Sequence, residues 1–525
     1  MSSSIKLGDL ESQSVITLPV QSPVPNFFQS EVPTAVPSEA PSGVTTRVAT
    51  PVPDKFPEKV SEKETADQIW DKDPANPYNW GSGTKAIHVI MLSLVSCLAS
   101  ISASIVSPAI SYLGAQFSIT SRTTIILTLT LYVIALAFGP IIGGPLSETL
   151  GRRWVYVGCV LTGALFTIGA AEAPNFAALC IFRFLAGFCW GPTMAIAVGS
   201  CSELFRPEKR GPVSAIVVLM GFFGPGLGPV VGAYAVVEHN WRWTQYCLLM
   251  ISAVALVFTF LSKETFHPII RRRLAIKAGL PVPESPSVYE RLHEFLFRSV
   301  LRPVRMLFLE PIVTCVCLYV ALGFGTLFSF FAAVPYVFTL VYKFSVKQCG
   351  LVFLAVIIGC VLGLVTMIVC DKLFYQKQVA RHPPNLVPPE HRLYGAMVGS
   401  IVLPIGLFWF GWSARESVSW ASPAAAIIFF AWGNICIFIS TFQYKGDTYT
   451  SDVVASAASA NSLARYGFAA AFPLFTVQMY QKLDIAWASS LLGFIAIAMM
   501  PIPWVLFKFG RRIRAKSQYD TIKYE

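Results

Sequence analysis

The sequence predicts an all-α membrane protein, with twelve transmembrane helices in two six-helix halves. Three observations predict it. Charged residues make up 13% of the 525 and hydrophobic residues 54%, against about 25% charged in soluble domains. The apolar residues fall into twelve continuous segments of roughly 18–28 residues, each long enough to cross a hydrocarbon core of about 30 Å. Six segments precede the longest hydrophilic break, 263–308, and six follow it.

Taken in order, residues 1–85 read as a disordered cytoplasmic tail, rich in Ser, Pro, Thr and Val and without sustained helical period. The N-terminal half, 86–262, holds spans at about 87–112, 123–146, 155–172, 177–201, 212–236 and 244–262. The basic cytoplasmic linker, 263–308, carries Lys263, Arg271, Arg272, Arg273, Lys277, Arg291, Arg298, Arg302 and Arg305. The C-terminal half, 309–508, holds spans at about 311–335, 348–370, 393–411, 421–442, 452–476 and 486–507, and 509–525 is a second cytoplasmic tail. The runs are continuous rather than alternating, and in lipid only helices or closed barrels satisfy the backbone, so helices are expected.

With the N-terminus in the cytoplasm, the inner loops and C-terminal tail carry 25 Lys and Arg and the outer loops six. The positive-inside rule therefore places both termini in the cytoplasm, as an even span count requires. This distribution explains the net charge of +11. No basic face interleaved with aromatics points to nucleic acid. The twelve cysteines lie mostly within apolar runs, form no CxxC pair and read as small buried hydrophobes. There is no P-loop, no HExxH and no set of polar residues within the spans fit for a hydrolytic triad, so an enzyme is not expected.

The motifs narrow the reading. Between spans 2 and 3, Gly144-x-Leu146-Ser147-Glu148-x-x-Gly151-Arg152-Arg153 resembles the loop 2–3 signature of the major facilitator superfamily, with Glu148 where Asp is common. The resemblance implies a latch at the cytoplasmic face. The carboxylate would face the N-terminal end of span 11, where a helix dipole stabilises it, and an arginine would pair with an acid at the end of span 4, here Glu203. A solvated loop obeying the charge rule is the alternative. Span 5, with Gly224-Pro225-Gly226-x-Gly228-Pro229-x-x-Gly232, is similar to the superfamily's antiporter signature. Small residues permit close helix approach and Pro bends the span, whereas an ordinary kinked interface would carry no direction. Arg183 in Arg-Phe-Leu-x-Gly resembles the span-4 motif. A charge within a span is functional by default, with snorkelling to the outer interface as its alternative.

DPANPYNW (73–80), PEHRL (389–393) and the block Tyr444…Asp447…Tyr449…Ala457…Asn461…Arg465…AFPLF are similar to the fungal twelve-span drug:proton antiporter group, whose members export polyamines, azoles and toxins. Lys445, beside Asp447 in a cytoplasmic turn, departs from the group's pattern. PESP (283–286) is a chance likeness to a sugar-porter signature. The resemblance implies a secondary active transporter that exports small organic molecules by alternating access, driven by the proton gradient without cofactor or metal. It implies a monomer in the plasma or vacuolar membrane, with lipid and cargo as its partners. The alternatives are an uptake permease for a nutrient or polyamine, and a membrane receptor or scaffold.

In that fold the cargo site lies at the midplane between the halves. Polar and aromatic mid-span residues are its candidates: Ser100, Ser104, Trp190, Met194, Phe324, Phe328, Asn434, Asn461 and Arg465. Helix packing is the competing role for each aromatic. Asn461 and Arg465, four residues apart, share a helix face. The span cores contain no Asp or Glu, so Glu148 and Glu203 at the edges are the expected proton carriers.

Overall fold

The computed structural model describes residues 70–279, 296–382 and 387–522. The first 69 residues, the PESP stretch and the last three residues lie outside them. Among the described residues the chain is helical, with one isolated bridge between Tyr449 and Thr521 and no strand. The N-terminal half comprises α1 (Ser82–Ser104), α2 (Arg122–Ala137 and Gly139–Leu150), α3 (Arg152–Ala171), α4 (Phe176–Leu204), α5 (Pro207–Glu238) and α6 (Arg242–Leu261). The C-terminal half comprises α7 (Pro311–Tyr342), α8 (Val346–Val352 and Leu354–Cys370), α9 (Tyr394–Ser413) and α10 (Ala421–Thr448). The run Ser451–Met499 breaks at Asp484, whose φ of 60° and ψ of 166° are not helical. It therefore divides into α11 (451–483) and α12 (485–499), which continues into Pro501–Arg514.

Ten helices are long and apolar enough to span a membrane when the stretch Val453–Arg514 is taken as one, and the pair forming α2, bent by 43°, makes an eleventh. The turn at Asp484 supplies the twelfth. Pro140 at the start of the second piece of α2 accounts for the bend there. Side chains of Ser121 and Asn175 cap α2 and α4 by accepting from backbone N–H groups, and Ser345 with Gln348 forms a full capping box on α8.

Within the halves α1 packs on α5, α2 and α3 on α4, α7 on α11, and α9 on α10. The halves meet along two seams, α2 with α11 and α5 with α8. Helix α7 is buried along most of its length, while α6 turns most of its surface outward, as central and lipid-facing spans should. The described cysteines are all free thiols.

One expected boundary moves, and the linker carries structure of its own. The disordered tail was expected to run to residue 85, but the chain is packed from Trp70 onward. Asn76 is fully buried, Tyr78 Oη donates to Ser202 O at 3.1 Å and Trp70 stands edge-on to His267. Apolar side chains within DPANPYNW and just before it give this stretch something to bury. The linker, too, is more than a basic connector. It forms a helix at His267–Lys277, and residues 264–267 pack beneath the N-terminal half.

Candidate functional site

The turn between α2 and α3 is built on Gly151, whose φ of 95° suits only glycine. A Cβ there would strike the carboxylate of Glu264. That carboxylate accepts from the backbone N–H of Arg152 at 2.8 Å and of Arg153 at 3.3 Å, so a buried acid sits on the open N-terminus of α3. The Arg152 side chain donates to Glu203 Oε1 through Nε at 3.0 Å and Nη2 at 2.8 Å, and through Nη1 to the Ser147 hydroxyl. Glu203 Oε2 accepts from Thr265 at 2.8 Å. Arg153 Nη2 donates to Phe260 O at 2.9 Å. Thus Arg152 meets Glu203, the partner expected from the sequence, and the linker contributes Glu264 and Thr265, which sequence reasoning missed. The available signal was an isolated acid directly after span 6, ahead of the arginine run. Glu148 is exposed one turn away, on the segment of α2 that touches α11. Gly144 has open space around it.

Helix α5 offers two close-packed faces. Added Cβ atoms on Gly224, Gly228 and Gly232 would collide with α1 at Ser100, Ser104 and Ile105. On its other side Gly226 abuts Phe353 and Ile357 of α8, and the carbonyl of Pro229 lies against Gly350. The glycine-proline pattern therefore serves both the α1 seam and the seam between halves.

This packing relocates three of the expected cargo-site residues. Ser100 and Ser104 lie in the α1–α5 seam. Their hydroxyls donate to carbonyls, Ser100 to Cys97 at 3.0 Å and Ser104 to Gly224 at 2.9 Å. Trp190 is 1% exposed. It packs on Gly163 between α3 and α4, with its indole donating to Val160 O at 3.4 Å. In each case close helix approach wins over cavity exposure.

Arg183 is also internal to the N-terminal half and does not snorkel. It donates to Ser102 Oγ at 3.0 Å, Ser102 O at 2.6 Å and Thr128 O at 3.4 Å, and lies 4.5 Å from the Tyr132 ring centroid. It joins α1, α2 and α4.

Other candidates converge where the halves meet. Tyr466 Oη of α11 donates to Met194 Sδ of α4 at 3.6 Å. Phe222 of α5 contacts Phe324 and Phe438 of the opposite half at centroid distances of 5.3 and 5.0 Å. Arg465 lies over Phe324 (4.6 Å), Phe438 (5.1 Å) and Tyr466 (4.3 Å). Asn461 Oδ1, one turn below Arg465, is buried with no hydrogen-bond partner. Asn434 packs against Gly323 in the α7–α10 seam, and Phe328 stands edge-on to Phe331. Phe222, Phe438 and Tyr466 were not singled out in the sequence, because one aromatic among many in a span carries no positional signal.

At the end of the bundle nearer the chain termini, Asp447 accepts from Arg392 Nε at 2.7 Å. Arg392 also lies 3.9 Å from Asp371, and Glu390 pairs with Arg514. PEHRL thus ties α10 to the C-terminal helix. Lys445 does not sit in a turn. Helix α10 runs on to Thr448, and Lys445 is 3% exposed within it.

At the opposite end the halves are closed together. Glu238 of α5 and Lys347 of α8 form an ion pair, and Ser107 Oγ donates to Phe331 O at 2.8 Å. Nearer the middle Thr130 Oγ1 of α2 donates to Ala470 O of α11 at 3.2 Å.

Known proteins share this arrangement. The family model described as Major Facilitator Superfamily matches residues 92–473. The chain is 34% identical over 470 residues to the MFS-type transporter phm3 of Pyrenochaetopsis, covering 86% of this chain and 94% of that protein. It is 35% identical over 442 residues to the efflux pump FUBT of Fusarium oxysporum, covering 82% and 73%. It is also 34% identical over 493 residues to polyamine transporter 4 of Saccharomyces cerevisiae, covering 87% and 74%. Among solved structures, a D-xylose-proton symporter superposes with a TM-score of 0.59 at 16% identity, over 80% of this chain and 97% of that one, a likeness of fold. Two six-helix halves joined along α2–α11 and α5–α8, matched by family model and relatives alike, make this chain a transporter of the Major Facilitator Superfamily.

Proposed function

We propose that the protein exports small organic molecules from a fungal cell by proton-coupled antiport, working as a monomer in the plasma membrane with both termini in the cytoplasm. The observation that carries this reading is the α5 glycine-proline face, which seats α5 against α1 on one side and against α8 of the other half on the other. It forms one of the two seams through which the halves grip each other, and it bears the antiporter-like pattern. The ion pair Glu238–Lys347 and the Ser107–Phe331 hydrogen bond support a state closed on the outer side, from which alternating access opens the other way. The efflux pump among the relatives supports the direction. Of the two acids expected to take the proton, Glu203 is held by Arg152 and Thr265. This favours Glu148, which is exposed and near enough to Arg152 for their charges to interact.

The test is expression in yeast lacking its own exporters, loaded with azoles, polyamines, dyes and fungal metabolites, with retention followed with and without a protonophore. Faster loss of a compound, cancelled by the protonophore and slowed in Glu148→Gln, is expected. Greater retention would reverse the direction to uptake.

A further inference from the structure

We propose that Lys445 and Arg465 together form the recognition site for the anionic group of an aromatic or conjugated organic acid, so that the preferred cargo is a carboxylate or comparable anion. The inference rests on the transport reading above and names the cargo class for it.

Lys445 Nζ and Arg465 Nε are both buried without a hydrogen-bond partner, and the two residues are 3% and 9% exposed. A buried ammonium with no counter-charge is among the costliest groups a protein can hold. Of the acids elsewhere in this half, Glu310 accepts from Tyr449 Oη at 3.0 Å through one oxygen while its other oxygen is buried without a partner, Glu390 pairs with Arg514, and Asp447 pairs with Arg392. None of them reaches Lys445 or Arg465 with an ion pair among the described residues.

The helix directions incline the two side chains toward each other. Cα–Cβ bonds tilt toward the helix N-terminus. Helix α10 approaches the end of the bundle nearer the termini, so Lys445, three residues before its last residue, sends its side chain back into the bundle. Helix α11 leaves from that end, so Arg465 leans toward it. Asn461 lies one turn nearer that end on the same face of α11 as Arg465, with its own oxygen unpartnered. It can accept from a hydroxyl or N–H of a ligand while the cations take the negative charge. The walls are Phe324, Phe438 and Tyr466, with Phe222 reaching across from the other half. These surfaces suit a flat, conjugated body attached to the anion. A polycation would meet two like charges.

The experiment uses the purified full-length protein in detergent, with three probes of one shape: 2-naphthoate, 2-naphthamide and 2-naphthylmethylammonium. Binding is read by titration calorimetry and ligand-dependent thermal shift. Naphthoate is expected to bind at least tenfold more tightly than the amide or the ammonium. That preference should fall below threefold in Lys445→Met and in Arg465→Gln, and survive partly in Arg465→Lys. Ligand-free Lys445→Met should melt no lower than wild type, because the change removes an unpaired buried charge. Equal binding of the amide or ammonium, a preference that survives both Lys445→Met and Arg465→Gln, or no binding of naphthoate at all would overturn the proposal. None of these readouts depends on direction or coupling. Protonophore-sensitive efflux without acid preference sinks this inference alone, and acid binding without efflux sinks the antiport reading alone.

Discussion

Neutralising Glu203 tests whether the charge cluster at the α2–α3 turn is a structural joint. In Glu203→Gln the shape is kept, but two N–H groups of Arg152, at 3.0 and 2.8 Å, lose an anionic acceptor. The side chains of Arg152 and Glu203 are 11% and 12% exposed, so solvent screens the pair weakly. Breaking a buried pair from one side costs about 3–5 kcal/mol, and the slight exposure argues for the lower end, about 3 kcal/mol. For a unit the size of one six-helix half, 1 kcal/mol moves the melting temperature by about 2–4 °C, so a fall of about 6–12 °C is expected. Thermal unfolding of the purified protein measures it, with Arg152→Gln and the double mutant completing the cycle. Since each single change already destroys the pair, the double mutant should lose far less than the two single losses added together. A fall under 2 °C, or strict additivity, would refute the claim that this pair anchors α3 to α4.

Gly228→Leu forces a side chain into α1 at Ser104 and Ile105. It should cost about 1–3 kcal/mol and abolish export, whereas Gly144→Ala, with open space around it, should leave melting within about 0.5 kcal/mol of wild type; melting and efflux assays on the same preparations compare them. Arg183→Leu strips hydrogen bonds from the Ser102 hydroxyl and carbonyl in the buried centre of the N-terminal half and should destabilise by about 2–3 kcal/mol, while a snorkelling arginine would show almost no loss. Pairing Glu238→Cys with Lys347→Cys and bridging them with a short thiol crosslinker should stop transport and restore it on cleavage of the linker, as expected if the α5–α8 contact must open in each cycle.

Much of this protein was legible without coordinates, because the bilayer constrains a chain more tightly than water does. Length and continuity of the apolar runs settle helices and their approximate ends, since lipid leaves the backbone no other way to satisfy itself. The hydrophilic break at 263–308 divides the bundle, and the spacing of Gly144, Gly151, Arg152 and Glu203 announces a charge cluster. Tertiary structure alone decided which way each side chain faces. Ser100, Ser104 and Trp190 look like cavity residues in one dimension, yet glycines on neighbouring helices draw them into packing seams. Lys445 reads as a loop lysine until α10 is seen to run past it and bury it. Glu264 belongs to the α2–α3 turn only because the linker folds back under the N-terminal half. A span's sequence specifies that it will be a helix in lipid, but its rotation about its own axis is set by its neighbours, and that rotation separates a residue that holds the bundle together from one that meets the cargo.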